Sequence, residues 1–146
     1  MNEITLKRLR DAGWNKDRKI DISNIKMKYK EIGLEMPITI SIFLEEYGFL
    51  KINAPDKKYF DVEFDPIKAI GTNLKADYFK ECLLEYDIYE KVFPIGIACR
   101  GNLIILMSEE STVFAFTDGC LMKSGTSIDE MLNCIVGECL KPEEID

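Results

Sequence analysis

"FPIGIACRGNLIILMSEESTVFAFTDG", residues 93–119, is the stretch whose reading decides the fold, because it is the least polar part of a chain in which 31% of residues are charged. Its longest uninterrupted aliphatic run, Leu103 to Met107, falls far short of the roughly 20 residues a membrane helix needs, and Arg100 and Asn102 flank it. It reads instead as three strands, about Val92 to Cys99, Leu103 to Met107 and Thr112 to Thr117. Arg100-Gly101-Asn102 and Ser108 to Ser111 supply the turns. The middle strand is apolar at every position, as a strand covered on both faces must be, whereas Phe114 and Phe116 alternate with smaller neighbours. The stretch is the centre of a sheet.

Outward from that centre the pattern turns helical. Leu6, Leu9 and Ala12 precede Gly13 at helical spacing, and Ile25, Tyr29 and Ile32 share a face before Gly33, which predicts helices over residues 3–12 and 23–32. "ITISIFLEEY", residues 38–47, alternates as a strand would over its first half. Yet Pro37 precedes it and Gly48 follows, and Ile38, Ile42 and Phe43 with Tyr47 form an i, i+4 stripe, so it is assigned to a helix. "FLKIN" and "YFDVEF" read as strands about a turn from Asn53 to Lys58. Asp65-Pro66 opens a helical turn, and Leu74 to Tyr86 is a longer helix with Phe79, Leu83 and Tyr86 inward. After the turn at Asp118-Gly119 a fourth strand is expected over Cys120 to Lys123, followed by a last helix that Ser127-Ile-Asp-Glu130 opens as a capping box. The acidic tail from Glu138 to Asp146 is expected to fray.

Composition narrows the function classes. At 146 residues and 47% hydrophobic content the chain suits one domain, residues 1–146, with a real core. No basic stretch leads into an apolar run at the N-terminus, which predicts a cytoplasmic protein. Histidine is absent, which removes the commonest metal ligand, general base and partner of a nucleophilic thiol. No catalytic residue, metal or cofactor is expected. Cys82, Cys99, Cys120, Cys134 and Cys139 form no Cys-x-x-Cys pair and read as reduced thiols, with Cys99 inert in a core strand. The net charge of -7 is uneven: residues 1–30 hold nine Lys or Arg against four Asp or Glu, so they carry +5 and the rest -12. Such a field disfavours direct nucleic-acid binding and favours a basic protein partner, although acidic surface also serves solubility alone.

Few constellations carry chemistry. Gly96 and Gly101 bracket four residues but lead into Asn102, not Lys, so they make a strand and turn rather than a phosphate loop. Gly125-Thr126-Ser127 precedes a helix and could hold an anion, although capping is its commoner use. Tyr86, Asp87, Tyr89 and Glu90 put aromatics among acids beside a loop, which suits a grip on a basic partner or tyrosines resting on a sheet edge. Glu109 and Glu110 read as solvated hairpin surface.

Several short motifs together resemble the SUKH superfamily, and within it the third family of bacterial immunity proteins. "LRDAGWNKDR", residues 9–18, resembles that family's Gly-Trp and arginine signature, and "FLEEYGFLKIN", residues 43–53, its helix-to-strand junction. "FPIGIACRGNLIILMSEESTVFAF", residues 93–116, resembles its Pro-Ile-Gly strand, turn and paired apolar strands. The turn Glu109-Glu110-Ser111 departs from it, since members often have a glycine there. The resemblance implies an α+β fold with a single central, mostly antiparallel sheet and flanking helices. It also implies a non-enzymatic antitoxin that neutralises a co-produced polymorphic toxin, commonly a nuclease, inside the producing bacterium. A regulatory scaffold binding a cellular protein is the other role known in the superfamily. With the cognate toxin as partner, a basic nuclease domain by charge, the contact residues expected are Tyr86, Asp87, Tyr89, Glu90, Glu109 and Glu110.

Overall fold

The computed structural model describes residues 1–54, 61–72, 75–117, 119–138 and 142–145. In chain order its elements are α1 (Glu3–Asp11), α2 (Ser23–Glu31), α3 (Ile38–Tyr47), β1 (Lys51–Asn53), β2 (Asp61–Glu63), α4 (Pro66–Ile70), α5 (Ala76–Leu84), β3 (Val92–Ala98), β4 (Leu103–Ser108), β5 (Val113–Thr117), β6 (Cys120–Gly125), α6 (Ile128–Ile135) and β7 (Glu143–Ile145). The strands form one seven-stranded sheet in sequence order, antiparallel at every pairing. The α+β class with a single antiparallel sheet is as expected.

Apolar residues in β3 to β5 set the centre of that sheet. Ile105, Leu106 and Met107 are successive and all fully buried, and since successive side chains point to opposite faces, both faces are covered there. Only Leu103 and Ile104 at the start of β4 are partly exposed. A bulge between Pro94 and Gly96 interrupts the ladder, and the buried Tyr29 hydroxyl donates to the Pro94 carbonyl at 2.6 Å. Gly96 is required beside it, because a Cβ would collide with the Glu63 carbonyl oxygen and stand 3.0 Å from Phe64 Cα.

Helix ends follow one recipe at three places. The amides of Trp14, Leu34 and Ile88 reach back to the carbonyls of Leu9, Tyr29 and Leu83, and the residue before each has positive φ. This is the Schellman closure, with an apolar residue just past the left-handed one. Gly13 and Gly33 supply that residue twice; Asp87 supplies it the third time.

Residues 13–20 then clamp the end of α3. Trp14 stacks on Tyr47 with ring centroids 6.1 Å apart, and its indole N–H donates to Glu46 at 2.9 Å. Arg18 donates to the carbonyls of Glu46 at 2.5 Å and Gly48 at 2.8 Å, groups that a helix C-terminus otherwise leaves orphaned. Partial burial lowers the Arg18 pKa, yet the group stays charged.

The α3 helix is as expected, with Ile40, Phe43, Leu44 and Tyr47 buried and Ile38 and Ile42 78% and 61% exposed. Phe43 and Tyr47 of its i, i+4 stripe pack on Phe64, and Tyr47 on Trp14, which leaves the two isoleucines outside. Two expectations are corrected. Cys99 is exposed, because β3 ends at Ala98 and the chain turns through positive φ at Cys99, Arg100 and Gly101. The acidic tail is not wholly frayed, since Glu143–Ile145 pairs with Leu121–Lys123. The predicted turn beyond Ala54, the strand residues Tyr59 and Phe60, the helix start at Leu74, the turn residue Asp118 and Cys139 lie outside the described residues.

The clamp yields a stability prediction. Removing both charged hydrogen bonds with Arg18→Ala should cost about 2 kcal/mol in urea unfolding. Arg18→Lys should recover little, because a single ammonium cannot reproduce the two-pronged geometry. Wild-type stability in the lysine variant would contradict that role.

Candidate partner-binding surface

With the centre of the sheet sealed, chemistry is left to the strand ends. Val92 pairs with Ser108 and Val113 with Gly125, so the entry to β3, the β4–β5 turn and the start of α6 all lie at one end of the sheet. Tyr89 and Glu90 lead into β3 there, and Glu109 and Glu110 form the adjacent turn. Tyr89 is 79% exposed and all three carboxylates are exposed.

The turn is built to hold its glutamates outward. The Ser111 amide donates to the Ser108 carbonyl at 3.1 Å, and the buried Ser108 hydroxyl accepts from the Thr112 amide at 3.1 Å. Ser111 has φ +69°, the left-handed geometry that a glycine would adopt without strain.

Tyr89 and Glu90 also line a cleft of about 300 Å³ between the Gly33-Leu34 corner, Asp77 and Lys80 of α5, and Lys91 and Val92. Cations stand beside the acids here. Tyr86 and Asp87 do not join this group. Tyr86 is half-buried, and its hydroxyl pKa is raised by burial first and then by Cys120, Glu85 and Cys82. Cys120 pairs with Thr117 at the other end of the sheet, so Tyr86 lies toward that end, and Asp87 is exposed in the closure of α5. The expected cluster is two groups.

The remaining candidates resolve into structure. Ser127 Oγ caps the Glu130 amide at 3.1 Å, and Glu130 accepts from the Thr126 amide at 2.8 Å and hydroxyl at 3.0 Å. A carboxylate of the chain itself thus occupies the start of α6, where an anion was the alternative. At the exposed Cys99, partial burial and then the carboxylates of Asp61 and Glu138 raise the thiol pKa, the reverse of what a nucleophile needs. Among the described residues no group of His, Cys, Asp and Glu has the arrangement of a metal site, and no helix is long and apolar enough to cross a membrane. Ile38 and Ile42 are surface residues that spacing alone does not reveal, because Phe43 and Tyr47 of the same stripe are buried.

Comparison with known proteins gives one match. The family model described as SUKH-3 immunity protein matches residues 1–138. No curated protein and no solved structure matches the chain.

Glu130 gives a pH prediction. The Thr126 hydrogen bonds hold its pKa below the ordinary 4.5, so its contribution to stability is present above that value and is lost as the pH falls through the lowered one. The difference in thermal midpoint between wild type and Glu130→Gln should therefore shrink on acidification below about pH 4.5. A difference that stays constant with pH would contradict the assignment.

Proposed function

This chain belongs to the SUKH-3 immunity protein family, and on that premise we propose that it neutralises a toxin with nuclease activity by covering the basic surface on which the toxin holds RNA or DNA. Immunity of this kind is binding, not turnover, and a chain without histidine suits it. The observation that carries the proposal is the convergence of exposed Tyr89, Glu90, Glu109 and Glu110 at one end of a sealed sheet.

The physical logic is charge replacement. A nuclease presents cations to phosphates, and carboxylates fixed on a short turn can meet the same cations. Glu109 and Glu110 are held by a backbone that Ser108 stitches together, so little entropy is lost on binding. Tyr89 supplies a large, exposed aromatic anchor beside a cleft able to take a side chain of the partner.

Replacing Tyr89, Glu90, Glu109 and Glu110 together by alanine should weaken binding of the cognate toxin by about 100-fold or more while leaving the thermal midpoint near that of wild type. Titration calorimetry at two salt concentrations measures this, and higher salt should weaken the wild-type complex more than the variant's. Unchanged affinity in the variant would remove this surface from the interface.

A further inference from the structure

A second groove opens on the other side of the Gly33-Leu34 corner, and its charge is opposite to that of the acidic turn. It has a volume of about 490 Å³ and is lined by Lys26, Lys30, Gly33, Leu34, Glu35 and Met36. Leu34 is buried and Met36 half-buried, so the floor is apolar. Lys26 and Lys30 stand one helical turn apart on α2, both exposed, and neither makes an ion pair among the described residues. Lys28, on another side of the same helix, is paired with Glu31 at 3.3 Å. The acid whose charge is felt from Lys26, Asp21, is already engaged by the Ser23 amide at 2.9 Å and hydroxyl at 2.5 Å. Glu35 is the one carboxylate lining the groove among the described residues.

We propose that this groove binds a short acidic polypeptide segment of a protein partner, with carboxylates on Lys26 and Lys30 and an apolar side chain on Leu34 and Met36. Charge complementarity selects an acidic occupant, because two lysines that make no ion pair among the described residues face one glutamate. The apolar floor selects a polypeptide over a phosphate backbone, which has nothing to bury there. Net charge points the same way: residues outside the first thirty carry -12 and repel a long polyanion, whereas a short acidic segment meets mainly the local lysines. The space over Gly33 is open, since a Cβ there would meet nothing within 4 Å. The two depressions share the Gly33-Leu34 corner, but Lys26, Lys30, Glu35 and Met36 line this groove and take no part in the acidic toxin surface.

The test is an NMR titration of the isotope-labelled protein without any toxin present. The probes are a short peptide of glutamates carrying two leucines, its lysine counterpart, and a thymidine oligonucleotide. The glutamate peptide alone should shift Gly33, Leu34, Glu35 and Met36 in a saturable way. Its apparent Kd should rise about tenfold in the Lys26→Glu, Lys30→Glu double variant at unchanged thermal midpoint. The proposal is overturned if the glutamate peptide shifts none of these residues, or if the oligonucleotide or lysine peptide shifts them equally. It is also overturned if the double variant titrates like wild type, or if dilution alone produces the shifts and so marks a second copy of the chain as the occupant.

Discussion

The constraint on which the rest of the structure depends is the covering of the central strand on both faces. β4 carries four consecutive side chains with no exposure, Ile105 to Ser108, and β5 is buried from Val113 to Phe116. A backbone buried that thoroughly must pair every amide and carbonyl, which leaves no interior room for polar side chains beyond a few such as Ser108 and Ser124. Chemistry is expelled to the strand ends, the turns and the outer faces of the helices. A rigid sheet with charged ends suits recognition by a preformed surface better than it suits turnover in a pocket.

The residues behind the family resemblance are structural, and their physical roles are visible. Gly13 closes α1, Trp14 packs on Tyr47, and Arg18 satisfies the carbonyls at the end of α3. Gly48 is needed at that corner, because a Cβ would strike the Leu44 carbonyl oxygen and approach Ile20 at 3.2 Å. Gly96 lets β3 pass close to the end of β2. These residues fix how the helical lead-in meets the sheet. They do not include Glu109 and Glu110, the proposed contacts at the end of the sheet.

Most of the fold was legible because its signals are local. Helix boundaries followed glycine and cap residues, and the three central strands followed their apolar runs. What failed depended on contacts distant in sequence. Ile38 and Ile42 share a stripe with Phe43 and Tyr47, and the packing of the two aromatics on Phe64 and Trp14 leaves the isoleucines exposed. The end of β3 fell one residue early, which moved Cys99 from core to surface. β7 gained order from pairing with β6, invisible in a short acidic tail. The candidate surface was legible in its residue types but not in its grouping. Register across β3 and β4 gathers Glu90 with Glu109 and Glu110, while the closure of α5 at Asp87 sets Tyr86 apart.

The most direct measurement is to purify this protein with the polypeptide encoded beside it and to assay that polypeptide for cleavage of RNA and DNA as this protein is added. The account predicts a stoichiometric complex in which cleavage stops once the two chains are equimolar. A partner that forms no complex, or one that continues to cut nucleic acid while bound, would contradict it.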